Sequence, residues 1–170
     1  KLLKKQNPEF TYYLYDDDMC RLFIKDNFDE DVLYTFDKLK PGAFKADLWR
    51  YCVLYIHGGI YLDIKYKCIN GFKLIEITDK EYFVKDRINV GSRGIYQALM
   101  INMPYNTVLL QAIKKIVEYC INNTYTNISP LCVTGPGLLA TLLCFTEIDT
   151  LELNHIGNII VKDDNQIMNY

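Results

Sequence analysis

The segment from residue 45 to residue 65, KADLWRYCVLYIHGGIYLDIK, constrains the fold more than any other part of the chain. Its first part carries apolar side chains at helical spacing, and the pair Gly58-Gly59 then ends the predicted helix. A short β-prone run, residues 60–62, follows and delivers the carboxylate of Asp63 at its carboxyl end. Because ligands of open α/β sheets bind at that edge, Asp63 is the first candidate site residue.

Two charged side chains on the same predicted helix form a second candidate. Asp47 and Arg50 are three residues apart, so their side chains can pair on one face. One interpretation is a solvent-exposed ion pair that contributes on the order of a few tenths of a kcal/mol. The other is a functional pair beside Asp63, and the spacing alone leaves both interpretations open.

The residues around Asp63 alternate along the predicted strand. Tyr61 and Asp63 therefore share one side of the sheet. Lys65 falls on that same side if the extended geometry continues. An acid and a base thus follow one another along one face of the strand.

Alternating strand and helix signals run through the whole chain. We predict strands over residues 10–15, 60–63, 81–85 and 95–102, with one or two more within 151–161 around a turn at 157–158, and helices over residues 16–28, 30–39, 44–57, 107–121 and 135–145. This alternation is typical of a layered α/β domain. The 170 residues fit one domain.

Composition excludes several classes of protein. The chain has 19 Lys and Arg against 21 Asp and Glu, a net charge of −2, so bulk attraction to nucleic acid is disfavoured. No apolar run approaches the roughly 18 residues of a membrane-spanning helix. The six cysteines lack C-x-x-C spacing, which argues against a zinc site. We predict reduced thiols and a cytoplasmic protein.

The motif K-A-D-L-W-R-Y, followed by L-Y-x-x-G-G-I-Y-L-D, resembles the signature of the DXD-motif sugar-transferase family. That family includes initiating mannosyltransferases of the yeast type and capsular-polysaccharide transferases, and more distantly the glucosyltransferase domains of large clostridial toxins. The resemblance implies a GT-A-like fold, a Rossmann-type layered domain with a mixed, mainly parallel sheet. It also implies transfer of a sugar, with retention, from a UDP- or GDP-sugar to a glycan or protein acceptor.

The resemblance assigns roles to individual residues of this chain. It places Asp47 near the donor sugar, Arg50 near the sugar and diphosphate, and Asp63 against the donor. It also implies cofactor-binding positions at Tyr61, Gly58, Gly59, Gly135 and Gly137. The last two belong to Thr134-Gly135-Pro136-Gly137, which resembles a T-G-P segment near the family's active-site cleft. Glycines there would let the backbone approach a ligand closely.

One position departs from the family. A second Asp, two residues after the first, is its main ligand for Mn²⁺ or Mg²⁺, which neutralises the departing diphosphate. This chain has Lys65 there. Three accounts follow: the Lys65 ammonium replaces the metal on the diphosphate, Asp63 and acids elsewhere still bind a metal, or catalysis is lost. Pairing of Lys65 with Asp63 would favour the third.

The related transferases also have a base-holding strand upstream of the stretch equivalent to Lys1, and a late polar segment with a Trp. Neither is visible in this sequence. We expect a single GT-A-like domain, 1–170, that either lacks part of the nucleotide pocket or is cut from a longer protein at both ends. The main functional prediction is a glycosyltransferase. The alternative is a catalytically inactive relative that binds a sugar, a nucleotide or another protein.

Overall fold

A computed structural model of the protein describes residues 2–86, 94–125, 128–143, 150–152, 156–157 and 160–162. The α-helices with defined bounds are α1 (Leu2–Gln6), α2 (Asp17–Asn27), α3 (Glu30–Lys38), α4 (Gly42–His57), α5 (Thr107–Asn122), α6 (Pro130–Val133) and α7 (Pro136–Leu142), and residues 156–157 are also helical. Local capping explains two of the starts. The carboxylate of Asp16 accepts from the Met19 N–H at 2.8 Å, and that of Asp29 accepts from the Val32 N–H at 3.1 Å.

The described strands are β1 (Gly59–Leu62), β2 (Tyr66–Cys68), β3 (Tyr82–Lys85), β4 (Ile95–Asn102), β5 (Thr150–Glu152) and β6 (Ile160–Lys162). The main sheet has the order β1-β4-β3-β5, and β2 pairs with β6 in a separate two-stranded sheet. β1 and β3 are both antiparallel to β4, whereas β3 and β5 are parallel.

The sheet separates two apolar cores because successive residues of a strand face opposite sides. Phe83 packs into the larger core, which holds the buried faces of α2, α3, α4, α5 and α7. Its neighbour Val84 packs into the smaller core with Cys68 of β2 and with Leu74 and Ile77, which lie in a short 3-10 helix, Leu74–Ile77. These five helices therefore cover one face of the sheet, and α4 packs against β1.

The pairing of β3 with β4 is irregular in one place. β3 advances from Tyr82 to Val84, while the partner in β4 moves from Ile101 to Tyr96. The extra residues in β4 form a bulge, which changes the direction of the side chains within it. Gln97 lies in this stretch, and its amide reaches Tyr51 on α4.

The α/β class and the mixed sheet are confirmed, but the expectation of a mainly parallel sheet is wrong. Among the described strands of the main sheet, one pair is parallel and two are antiparallel. Part of the reason is chain length. β3 ends at Lys85 and β4 begins at Ile95, and this connection is shorter than the dozen or so residues that a parallel crossover needs.

The predicted strand over residues 10–15 is also wrong. Residues 11–16 belong to no helix or strand, and none of the described residues pairs with positions 11–15 through the main chain. The segment is aromatic and β-prone, but a strand exists only through hydrogen bonds to a neighbouring strand. The β-preference of these residues is therefore not enough to make the segment a strand.

The other predicted elements are confirmed within a few residues, as far as they are described. The late region contains β5 and β6, but Gly157 of the predicted turn is helical together with Ile156, and position 158 lies outside the described residues. Positions 144–145 of the helix predicted over 135–145 also lie outside them. The sequence did not predict α1, β2, α6 or the 3-10 helix, which are all short.

The five cysteines within the described residues are free thiols, and Cys144 lies outside them. The predicted reduced state, the cytoplasmic location and the single-domain extent stay predictions. Of the described helices, none combines the length and the apolar character needed to cross a bilayer.

Candidate active site

The junction between α4 and β1 brings the candidate residues together. Gly58 ends α4 with a φ of 64°, a region that L-residues rarely adopt. A Cβ atom at this position would lie 2.7 Å from the Cδ of Pro104. Only glycine therefore fits this tight turn. Because the chain passes directly from α4 into β1, Asp47 and Arg50 come close to Tyr61 and to Asp63 at the end of the strand.

Arg50 is the centre of the polar network. Its Nη1 donates to the Asp47 Oδ1 at 2.8 Å, and its Nη2 donates to the Tyr61 hydroxyl at 3.3 Å. That hydroxyl in turn donates to the Asp63 Oδ1 at 2.8 Å. The guanidinium also stacks on the Tyr61 ring, 4.5 Å from its centroid, and its Nη2 lies 3.8 Å from the Asp63 Oδ1. One arginine thus links both predicted acids.

Burial shows that the Asp47–Arg50 pair is not a surface ion pair. The two side chains are 14 % and 8 % exposed. Burial raises the pKa of Asp47, although the charge of Arg50 and the hydrogen bond from Thr134 oppose that shift. Burial lowers the pKa of Arg50, but Tyr61 and Asp47 raise it by more, so the guanidinium stays charged. Burial also raises the pKa of Tyr61 to about 12, so its hydroxyl keeps its proton at neutral pH.

Lys65 lies beside Asp63, but not through continued strand geometry. Residues 64 and 65 form a turn between β1 and β2, closed by a hydrogen bond from the Tyr66 N–H to the Asp63 carbonyl oxygen at 3.0 Å. The Lys65 Nζ is 3.6 Å from the Asp63 Oδ2. This distance exceeds a normal hydrogen bond, and the Lys65 side chain is 40 % exposed, so the ammonium keeps donors for another partner.

The T-G-P segment also reaches the network. The Thr134 hydroxyl donates to the Asp47 Oδ2 at 2.8 Å. A Cβ atom at Gly135 would lie 3.5 Å from that same oxygen and 3.1 Å from the Leu131 carbonyl oxygen. The resemblance selected the two glycines of this segment and not Thr134. Its motif did contain the threonine, so the signal was present in the sequence.

The remaining predicted glycines have different surroundings. A Cβ atom at Gly137 would lie 2.5 Å from the Cys132 Sγ, so Gly137 allows α6 and α7 to pack closely. Gly59 has a φ of 92° and open space around the position of a Cβ atom. Close packing therefore explains why glycine occupies positions 58 and 137. Their cofactor-binding roles stay predictions, as do those of Gly59 and Gly135.

A groove of about 1190 Å³ opens beside the network. Its walls include residues 10–16, which belong to no helix or strand, and the stretch 59–65. Tyr61, Asp63 and Lys65 line it, together with Trp49, which packs against Tyr15 at 5.0 Å between ring centroids. A ligand in this groove would meet Asp63 and Lys65 as its charged neighbours on the β1 side.

The described residues do not fit a divalent metal. Mn²⁺ and Mg²⁺ need several oxygen ligands, and no cluster of three His, Cys, Asp or Glu side chains occurs in the part of the chain that the structure describes. Among the described residues, Asp63 has two cations within 4 Å, at 3.8 Å for Arg50 and 3.6 Å for Lys65. Asp47 already accepts from Arg50 and Thr134. Both carboxylates are therefore engaged by protein donors and cations.

The sequence of this chain is similar to those of known glycosyltransferases. Residues 1–84 match the family described as a glycosyltransferase sugar-binding region containing DXD motif. An uncharacterized glycosyltransferase of Acanthamoeba polyphaga mimivirus is 47 % identical over 64 residues, covering 38 % of this chain and 26 % of the relative. Inositol phosphoceramide mannosyltransferase 2 of Schizosaccharomyces pombe is 30 % identical over 109 residues, covering 64 % of this chain and 31 % of the relative.

A solved structure supports the fold. The PaToxG glycosyltransferase superposes with a TM-score of 0.61 at 16 % identity, covering 86 % of this chain and 61 % of that one. This chain therefore shares a glycosyltransferase fold, although it spans only about a quarter to a third of the length of the two curated relatives. Residues 1–84, just under half of the 170 residues, therefore resemble the DXD-motif sugar-transferase family.

Proposed function

We propose that this protein transfers a hexosyl group from a nucleoside-diphosphate sugar to an acceptor hydroxyl. The observation that carries the proposal is the buried network of Asp47, Arg50 and Tyr61, which meets the groove at Asp63 and Lys65. The family match over residues 1–84 supports the same reaction class. The S. pombe relative is named a mannosyltransferase, so the first donor that we propose is a mannosyl donor such as GDP-mannose.

The reaction breaks the bond between the anomeric carbon and a phosphate oxygen. The diphosphate leaves with the electron pair, the acceptor oxygen bonds to the anomeric carbon, and the hydroxyl proton passes to water. Negative charge therefore grows on the departing diphosphate. In this proposal the exposed ammonium of Lys65 supplies the neutralising cation in the groove, since lysine binds phosphate as a point charge.

Asp47 and Arg50 have separate roles in this scheme. Asp47 accepts hydrogen bonds from hydroxyl groups of the donor sugar at the acceptor sites that protein donors leave open. Arg50 is largely buried, so it acts mainly by holding Asp47, Tyr61 and Asp63 in place. Retention of anomeric configuration is part of the proposal and can be checked by NMR of the product. For the acceptor we keep a glycan or protein, and the name of the S. pombe relative adds inositol phosphoceramide.

The contact between Lys65 and Asp63 favours a second candidate. If the two charges mainly neutralise each other, the protein binds a sugar nucleotide without turning it over. The two functions differ in one observable. The transferase releases nucleoside diphosphate from its donor, whereas the inactive module binds the donor and releases none.

Calorimetric titration of GDP-mannose and UDP-glucose, each with Mn²⁺ and with EDTA, tests donor binding, and an assay of nucleoside diphosphate released from the same donors separates the transferase from the inactive module. Binding that survives EDTA and is lost in Lys65→Ala supports a lysine in place of the metal. Lys114→Ala is the matched control, because Lys114 is an exposed lysine on α5. Binding only with Mn²⁺ would show that metal ligands come from elsewhere. No binding under any condition would overturn donor recognition by this chain.

A further inference from the structure

Three buried polar residues form a chain that ends at Asp47. The Gln97 side-chain amide on β4 donates to the Tyr51 hydroxyl on α4. That hydroxyl donates to the Thr134 carbonyl oxygen at 2.7 Å, and the Thr134 hydroxyl donates to the Asp47 Oδ2 at 2.8 Å. Thr134 and Tyr51 are 0 % exposed and Gln97 is 8 % exposed. Three parts of the fold therefore converge on one carboxylate.

The chain fixes the Asp47 carboxylate from two sides. Thr134 holds Oδ2, and Arg50 holds Oδ1 at 2.8 Å. An ionised carboxylate has about four acceptor sites, so about two stay open for a ligand. Gly135 follows Thr134, and the missing side chain keeps the space next to Oδ2 open. The same turn thus orients the carboxylate and leaves room beside it.

A purely structural role would not require this polarity. Apolar side chains of the same shape fill a core at little or no cost, whereas each buried hydroxyl and amide must find a partner. Here Tyr51 both accepts from Gln97 and donates to Thr134, so its hydroxyl is satisfied in both directions. Such a connected chain restricts Asp47 to one orientation.

We propose that Thr134 and Tyr51 are positioning residues that orient the Asp47 carboxylate toward the hydroxyl groups of the donor sugar. This proposal rests on the function proposed above. Thr134 acts directly on Asp47, and Tyr51 acts through the main chain of Thr134. Neither residue needs to touch the donor.

Several charged and titratable groups face Asp47 and affect its titration. They are Arg50 and Tyr51 on the same helix and Asp63 after β1. The turn before α7 contributes the uncharged Thr134. Substitution of Thr134 leaves the charged groups unchanged, so an altered titration of Asp47 reports the loss of the hydrogen bond itself.

The experiment compares Thr134→Val, which removes the hydroxyl and keeps the shape, with Thr134→Ser, which keeps the hydroxyl. The first readout is the titration of the Asp47 carboxyl carbon by NMR, with the resonance assigned from Asp47→Asn. The second is the affinity for GDP-mannose, measured by calorimetry. We expect Thr134→Val to move the Asp47 titration to higher pH and to weaken donor binding about tenfold. Thr134→Ser should restore both.

Thermal unfolding followed by circular dichroism checks that each variant folds. If Thr134→Val does not fold, Tyr51→Phe gives the same test, with a smaller displacement of the Asp47 titration expected. An unchanged Asp47 titration in a folded variant would overturn the proposal. If the wild type binds no donor, the proposed function fails, but the NMR titration still decides whether Thr134 controls Asp47.

Discussion

At the scale of single residues, Asp47 gives the sharpest prediction. Burial raises the pKa of Asp47 above the ordinary 3.8. At a pH between 3.8 and this raised pKa, the native state therefore holds more protons than the unfolded state. Its contribution to stability should therefore fall as the pH rises through this window. Urea unfolding of wild type and Asp47→Asn from pH 3 to 7 should show the free-energy difference, wild type minus variant, decreasing with pH.

The ion pair of Arg21 with Asp37 provides a control of opposite sign. Its side chains are 47 % and 41 % exposed, and the hydrogen bond from Arg21 lowers the pKa of Asp37. The pair stabilises the fold above the ordinary pKa, and this contribution is lost as the pH falls through the lowered one. For Asp37→Asn, the free energy of unfolding of wild type minus that of the variant should increase with pH. A difference for Asp47→Asn that rises with pH would contradict the assignment.

Lys65 carries a second prediction at this scale. Lys65→Asp places a second carboxylate next to Asp63 and removes the competing ammonium, which gives Mn²⁺ two oxygen donors from one turn. We expect Mn²⁺ to bind at least about tenfold more tightly than in wild type, measured by calorimetry without donor. Lys114→Asp adds the same charge on α5 and should not change Mn²⁺ affinity. Equal gains in both variants would show a general charge effect.

At the scale of elements, the α4–β1 junction depends on one glycine. Gly58→Ala combines a positive φ with a Cβ atom 2.7 Å from Pro104, so the free energy of unfolding should fall by about 2 kcal/mol or more. Gly42→Ala is the matched control, because it opens α4 with free space around a Cβ atom. That variant should gain about 0.5 kcal/mol in urea unfolding. Similar losses in both would exclude a special role for Gly58.

Elements with strong local signals were predictable, and those that depend on partners were not. The capping acids Asp16 and Asp29 and the Gly58 break mark helix ends within a few residues. Residues 10–15 have an equally clear β-preference, yet they line the groove outside any helix or strand. A helix satisfies its main chain within its own sequence, while a strand needs a neighbour that its own sequence does not specify.

At the scale of the whole molecule, the larger core joins the helices to the sheet. Ile113 on α5 is 1 % exposed and belongs to this core. Ile113→Ala should lower the free energy of unfolding by about 2–5 kcal/mol, because it leaves a cavity between packed helices. Leu131→Ala removes a side chain that is 53 % exposed and should cost less than about 0.5 kcal/mol. Urea unfolding measures both, and a small loss for Ile113→Ala would contradict this core.

The sequence by itself determined the local features: the ends of the main helices, the glycine turn into β1, the placement of Asp63 after it and the family motif. Only the tertiary structure decided that Asp47 and Arg50 are buried, and that Thr134, 87 residues from Asp47 in sequence, donates to it. It also decided the strand directions. The physical reason is the separation along the sequence of the residues that interact. Caps and turns are fixed by neighbours along the chain, whereas burial and long-range hydrogen bonds depend on how all the elements pack.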